Sequence, residues 1–112
     1  MATPTDQLKE LKKIAEMRFD RERHKLAAMN EEAAQIESEQ RAVRKQIVDL
    51  TESKENSPSS LMNAYAYLDA LAKKSERLIA ERREASLRTE AQREKIKTAL
   101  ASKIRVDGMG ED

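Results

Sequence analysis

Apolar and small side chains recur along both halves of the chain at alternating steps of three and four residues. In the first half these positions are Leu8, Leu11, Ala15, Phe19, Glu22, Leu26, Met29, Ala33, Ile36, Gln40, Val43, Ile47 and Leu50. In the second half they are Leu61, Ala64, Leu68, Leu71, Ser75, Leu78, Arg82, Ala85, Thr89, Gln92, Ile96, Ala99 and Lys103. Such alternation is typical of a coiled-coil seam, so the pattern predicts two long helices. Two successive steps of four around Ala15 predict a stutter in the first helix.

Helix start signals agree with this division. Thr3 precedes Pro4, and Ser57 precedes Pro58, which places a capping hydroxyl before a proline at the start of each predicted helix. The sequence therefore predicts a helix over 4–54, a turn at 55–58, a helix over 59–105 and a flexible tail at 106–112. Residues 1–112 are thus expected to form a single helical hairpin.

The short predicted turn indicates that the two helices are antiparallel neighbours. The predicted fold is therefore all-α, with two long helices forming an antiparallel coiled-coil hairpin. Folding at the turn pairs Leu50 with Leu61, Val43 with Leu68 and Ile36 with Ser75 at one end, and Leu11 with Ala99 at the other. The competing architecture is one continuous helix in a parallel dimer, and Pro58 disfavours it because proline in a helix interior costs ~3 kcal/mol or more.

Polar residues interrupt the lower and middle part of the predicted seam. Two interpretations remain open for these residues. In the first, they fix the register or extend their polar ends to solvent. In the second, this part of the hairpin is loosely held and a partner covers it. The residues concerned are Glu22, Gln40, Ser75, Arg82, Thr89 and Gln92.

Composition supports long helices rather than a large globular core. Charged residues make up 38% of the chain and aromatic residues only 3%, and both glycines lie close to the C-terminal end. The absence of cysteine is typical of a reducing compartment. No apolar run approaches the roughly 18 residues of a membrane span. We therefore expect a cytoplasmic protein that reaches a membrane only through its partners.

The sequence offers no evident catalytic chemistry. His24 has Asp20 and Glu22 nearby but no second histidine or carboxylate four residues after it, as the H-E-x-x-H pattern of a helical metal site requires. A two-helix hairpin also provides no concave pocket for a nucleophile and a base. We therefore expect no enzymatic activity, no catalytic residue, no metal and no cofactor.

Basic residues concentrate where the two chain ends are predicted to meet. Residues 91–106 carry five basic groups and one acidic group, and "KELKK" lies at residues 9–13. Interleaved aromatic residues are missing and the overall net charge is only +1, which argues against nucleic-acid binding. The open alternatives are a solvated charged face and a site for an acidic protein surface.

Both tyrosines of the chain lie close to the predicted turn. Tyr65 and Tyr67 flank Ala64 and Leu68 of the seam, and Met62 lies outside the seam. The tyrosines either seal the turn end of the hairpin or form a contact point for a partner, because tyrosine is enriched at binding hot spots. The sequence leaves both interpretations open.

Four segments together resemble the family of the flagellar export protein FliJ and the YscO-like proteins of virulence type III secretion. They are "LKELKKIAEMRFDRERHKLAAM", "EEAAQIESEQRAVRKQI", "AYAYLDALAKKSERLIAERREA" and "LRTEAQREKIKTALASK". The resemblance spans nearly the whole chain, although the chain is shorter than a typical FliJ.

The resemblance implies a stalk-like coiled coil that couples an export ATPase ring to the cytosolic domain of the export gate and to export chaperones. The residues that it implies at the ATPase-facing end are Leu8, Lys9, Lys12, Lys13, Lys95, Lys97 and Lys103. The residues that it implies at the gate-facing end, near the turn, are Met62, Tyr65 and Tyr67. The alternative is a structural coiled-coil adaptor or spacer with no link to an ATPase.

Overall fold

The computed structural model describes residues 3–52 and 58–109 of the chain. Two α-helices account for nearly all of these residues, α1 (Pro4–Thr51) and α2 (Pro58–Asp107). Neither described helix contains a segment long and apolar enough to cross a membrane.

The first helix begins with the predicted cap. The backbone N–H of Asp6 donates to Oγ1 of Thr3 at 3.2 Å, and the backbone N–H of Thr3 donates to Oδ2 of Asp6 at 3.3 Å. This reciprocal pair satisfies one of the N–H groups at the helix start that have no partner within the helix. The prediction of Thr3 as N-cap and Pro4 as first helical residue is confirmed. The corresponding cap at Ser57 lies outside the described residues.

The helix boundaries differ slightly from the predicted ones. Helix α1 ends at Thr51 rather than at residue 54, and the Thr51 hydroxyl donates back to the carbonyl of Val48 at 2.9 Å. Helix α2 begins at Pro58 rather than at residue 59, because proline at the first helical position loses no hydrogen bond. It also extends to Asp107 rather than to residue 105, where an ion pair of 3.5 Å between Lys103 and Asp107 supports the last turn.

The chain divides into two compact units, each of which pairs a part of α1 with a part of α2. The terminal unit comprises the residues up to Asn30 and those from Leu87 onward, and the central unit comprises Glu31–Ser86. The beginning of α1 therefore packs with the end of α2, and the end of α1 with the beginning of α2. The two helices are therefore antiparallel. The predicted all-α helical hairpin is confirmed.

The two units differ in what they bury. The central unit has an apolar core of Ile36, Val43, Leu71, Leu78 and Ala85, against which Ile47 and Leu50 pack. Burying a side chain such as Leu78 contributes about 1.5–3 kcal/mol. The buried residues of the terminal unit are small or polar, namely Ala15, Ala99, Thr89 and Gln92. The apolar core therefore stabilises the central unit more strongly.

The predicted stutter in α1 is absent. Lys12 is half-buried and continues the seam between Leu8 and Ala15, whereas Leu11 is 48% exposed. The burial pattern thus keeps alternating steps of four and three residues throughout α1. A lysine can occupy such a position because its aliphatic stem covers apolar surface while its ammonium group reaches water.

The predicted register of the central unit is also wrong. Arg82 donates to Gln40 at 3.2 Å, but the predicted pairing of Ile36 with Ser75 would place Arg82 opposite Met29, about 16 Å along the helix axis from Gln40. Ala85 shares a hydrophobic cluster with Ile36, although the predicted register separates them by about 15 Å.

Both contacts fit a register shifted by one heptad. Arg82 then lies opposite Ile36, and Leu68 rather than Leu61 lies opposite Leu50. The heptad pattern permits this shift because every seam position recurs after seven residues. In the shifted register the first turns of α2 extend past the end of α1. For this reason Leu61 is 42% exposed, although it continues the seam repeat of α2.

Candidate functional site

A polar bridge joins the two helices inside the terminal unit. The side-chain amide of Gln92 donates to the backbone carbonyl of Glu22 at 2.9 Å and to Oε2 of Glu22 at 2.6 Å. Gln92 is only 2% exposed, so its amide would be costly to bury without these bonds. No buried side-chain nitrogen or oxygen within the described ranges lacks a hydrogen-bond partner.

The carboxylate of Glu22 is electrostatically favoured by its surroundings. The hydrogen bond from Gln92 lowers the pKa of Glu22 below its usual value, and the neighbouring Lys25 and Lys95 lower it further. Partial burial opposes this shift. Glu22 is therefore ionised at neutral pH, which keeps it an acceptor for the Gln92 amide.

A second polar bridge lies in the central unit. Nη1 of Arg82 donates to Oε1 of Gln40 at 3.2 Å, and Nη2 of Arg82 pairs with Oε1 of Glu37 at 2.9 Å. Gln40 is buried, whereas the guanidinium group of Arg82 extends to the surface. Both bridges support the first interpretation of the polar seam, in which its polar residues fix the register of the two helices.

The residues predicted for the ATPase-facing end all lie in the terminal unit but do not form one patch. Leu8 and Lys12 are half-buried in the seam, whereas Lys9 and Lys13 share an exposed face because they are four residues apart. Lys95 and Lys97 flank the half-buried seam residue Ile96 on opposite sides. A flat partner surface would therefore contact only a part of this set at one time.

Two of these lysines already have carboxylate partners within the unit. Lys97 pairs with Glu94 at 3.1 Å and Lys103 pairs with Asp107 at 3.5 Å. Lys95 lines a groove together with Arg18, Glu22 and Thr98 and is exposed. Glu94 and Asp107 therefore partly balance the positive charge of Lys97 and Lys103.

The residues predicted near the turn are accessible. Met62, Tyr65 and Tyr67 are all exposed in the central unit. Met62 and Tyr65 share one helix face because they are three residues apart, and Tyr67 lies on another face. Met62 lies outside the seam and the two tyrosines flank it, so all three side chains are accessible.

The sequence-based assignment missed a pair of exposed apolar residues in the terminal unit. Ile14 and Met17 are both 61% exposed on α1, and together with Arg18 and Arg21 they line a shallow groove. Ile14 and Met17 lie outside the seam both in the predicted pattern and in the structure, and their spacing of three residues, which places them on one helix face, is visible in the sequence.

The sequence predicts no metal site at His24. This side chain is exposed and lies in a groove with Met17, Asp20, Arg21, Lys25 and Ala28. Within residues 3–52 and 58–109 there is no group of three or more histidine, cysteine or acidic side chains that could hold a metal ion.

Comparison of the chain with protein-family models, with curated proteins and with solved structures found no match. The residues and contacts described above are therefore the basis of the functional proposal.

Proposed function

We propose that the chain is a non-enzymatic coiled-coil accessory protein of a flagellar or type III protein export apparatus. It acts as a stalk-like cytoplasmic hairpin that couples the export ATPase ring to the cytosolic domain of the export gate and to export chaperones. It requires no cofactor, binds no nucleic acid and is peripheral to the membrane through its protein partners.

The single observation that carries this proposal is the contrast between the two units of the hairpin. The sequence of the terminal unit carries thirteen basic and ten acidic residues, a net charge of +3, whereas that of the central unit carries nine and eleven, a net charge of −2. The terminal unit buries small and polar residues, whereas the central unit buries an apolar core, and large apolar side chains are exposed in both units. Positive charge together with exposed apolar groups favours binding to an acidic protein surface. The central unit has the apolar core and supports the hairpin.

The terminal unit is therefore proposed to engage the ATPase through the exposed lysines among its predicted residues. Lys95 is the main candidate because it is exposed beside Arg18, in a groove that Glu22 and Glu94 also line. The first turns of α2 are proposed to engage the export gate through Met62, Tyr65 and Tyr67. The assignment of these residues to the ATPase and to the export gate rests on the resemblance of the sequence to the FliJ and YscO-like family and on the unit in which each residue lies.

A pull-down with a purified export ATPase tests the proposal. We expect the wild-type chain to retain the ATPase and the variant Lys95→Glu with Lys97→Glu to lose it. The matched control is Lys73→Glu with Lys74→Glu, which makes the same charge change at exposed positions of the central unit. Equal loss in both variants, or no retention by the wild type, contradicts the proposal.

The second candidate function is a structural adaptor or spacer without an ATPase link. The two polar bridges favour it, because they fix the helix register and need no partner. Replacing Tyr65 and Tyr67 by Ala separates the two functions. Loss of export-gate binding with an unchanged thermal unfolding midpoint supports the export role, whereas a changed midpoint alone supports the spacer.

A further inference from the structure

One face of α1 in the terminal unit combines apolar and basic side chains outside the seam. Ile14 and Met17 are exposed, and Arg18, Arg21 and Lys25 follow on the same face at spacings of three, four and seven residues. We call these five residues the α1 surface.

The α1 surface is an open, shallow depression on the outer face of one helix. One part of the groove is lined by Ile14, Met17, Arg18 and Arg21, and the adjoining part shares Met17 and Arg21 and adds Lys25, among others. Asp20 is the acidic side chain that lines the groove, beside three basic ones. Lys25 also pairs at 3.5 Å with the largely buried carboxylate of Glu22, so its charge is partly balanced within the unit. The groove is therefore apolar at one end and positively charged along its length.

We propose that the α1 surface binds an acidic amphipathic helix of another protein. Such a helix would pack its apolar residues on Ile14 and Met17 and direct its carboxylates to Arg18, Arg21 and Lys25. A docking helix presents apolar anchors at spacings of three, four and seven residues, and Ile14 and Met17 would contact such anchors. Arginine in particular binds carboxylates with two parallel hydrogen bonds.

Charge complementarity selects this partner over two others. A second copy that used its own α1 surface in a two-fold symmetric contact would place the same basic residues opposite one another, and like charges repel. An anionic membrane would attract the basic residues, but membrane-binding helices use a broad apolar face. The α1 surface has only two large apolar side chains. This binding activity is additional to the proposed export role, and its test uses no export component.

The probe is a fluorescent synthetic helix with leucine at spacings of three and four residues and glutamate on the flanks. A matched peptide carries lysine in place of every glutamate. Binding is measured by fluorescence anisotropy against the full chain. We expect saturable binding of the acidic peptide and at least tenfold weaker binding of the basic peptide. Equal affinity for both peptides, or no binding of the acidic one, overturns the proposal.

Two double variants test the assignment of the surface. Ile14→Ser with Met17→Ser removes the apolar anchors, and Arg18→Glu with Arg21→Glu reverses the charges. All four residues are exposed, so the helix content by circular dichroism should not change. We expect each variant to weaken binding of the acidic peptide at least tenfold.

Matched controls come from other exposed positions. Leu87→Ser removes an exposed apolar side chain of the same unit, and Lys73→Glu with Lys74→Glu reproduces the charge reversal in the central unit. Both controls should retain binding within about twofold. The proposal is overturned if the control variants weaken binding of the acidic peptide as much as the test variants do. It is also overturned if the chain binds phosphatidylglycerol vesicles more strongly than the acidic peptide.

Discussion

Arg82 donates a hydrogen bond from Nη1 to Oε1 of the buried Gln40, on the other helix of the central unit, at 3.2 Å. The same guanidinium group pairs with Glu37 at 2.9 Å. A planar guanidinium can serve two acceptors at once because its donors lie in a fixed fork. This contact connects α2 to two successive turns of α1 and so determines which heptads of the two helices face each other.

Engineered cysteine pairs should confirm the shifted register. The chain has no cysteine of its own, so introduced pairs report without interference. We expect Val43→Cys with Ser75→Cys to form a disulfide on mild oxidation, because these positions face each other in the shifted register. Val43→Cys with Leu68→Cys should remain reduced, because one heptad separates them by about 10 Å along the axis.

The cysteine experiment is read by non-reducing electrophoresis with mass determination of the intramolecular product. Oxidation of the Val43–Leu68 pair in preference to the Val43–Ser75 pair would restore the register predicted from the sequence. The reduced form of each variant serves as its own control for folding, measured as helix content.

Replacing Gln92 by Ala should destabilise the hairpin. The substitution removes two hydrogen bonds to Glu22 and leaves space in the seam. Loss of a buried polar partner costs about 1–3 kcal/mol in unfolding free energy. Urea unfolding followed by circular dichroism gives this quantity. Gln46→Ala, at an exposed position of α1, is the control and should change it by less than about 0.5 kcal/mol.

Glu22 should make the stability depend on acid pH. Its folded-state pKa lies below the usual value of 4.5, so its contribution is present above pH 4.5 and is lost as the pH falls through the folded-state pKa. Protonation removes the charge that accepts from Gln92 and attracts Lys25 and Lys95. Glu22→Gln should therefore lower stability at pH 7 and have less effect at pH 3. A difference between wild type and variant that is equal at both pH values would contradict this assignment.

The apolar core of the central unit should be sensitive to truncation. Leu78 is fully buried among Ile36, Val43 and Leu71, and Leu→Ala at such a site costs about 2–5 kcal/mol. We expect Leu78→Ala to lower the thermal unfolding midpoint strongly. The adjacent Ile79→Ala, at an exposed position, should lower it little. A similar loss in both variants would show that Leu78 is not central to the core.

The candidate binding residues could be predicted only in part. Tyr65 and Tyr67 are conspicuous in a chain with few aromatic residues, and their exposure agrees with a contact role. Ile14 and Met17 were not predicted as binding residues, because single apolar residues outside a seam are common on helix surfaces and do not by themselves mark a binding site. The seam itself was also predicted only in part: hydrophobicity favours Leu11, whereas the structure places Lys12 in the seam and keeps the heptad phase.

The sequence by itself determined the two helices, the start of the first one at Thr3 and Pro4, and the antiparallel hairpin. These features depend on local signals, namely capping groups, proline positions and the heptad repeat, which act over a few residues. Only the tertiary structure decided the register. A repeat of seven residues fits its partner equally well after a shift of seven, so specific contacts between the helices, such as Arg82 with Gln40, had to select one alignment.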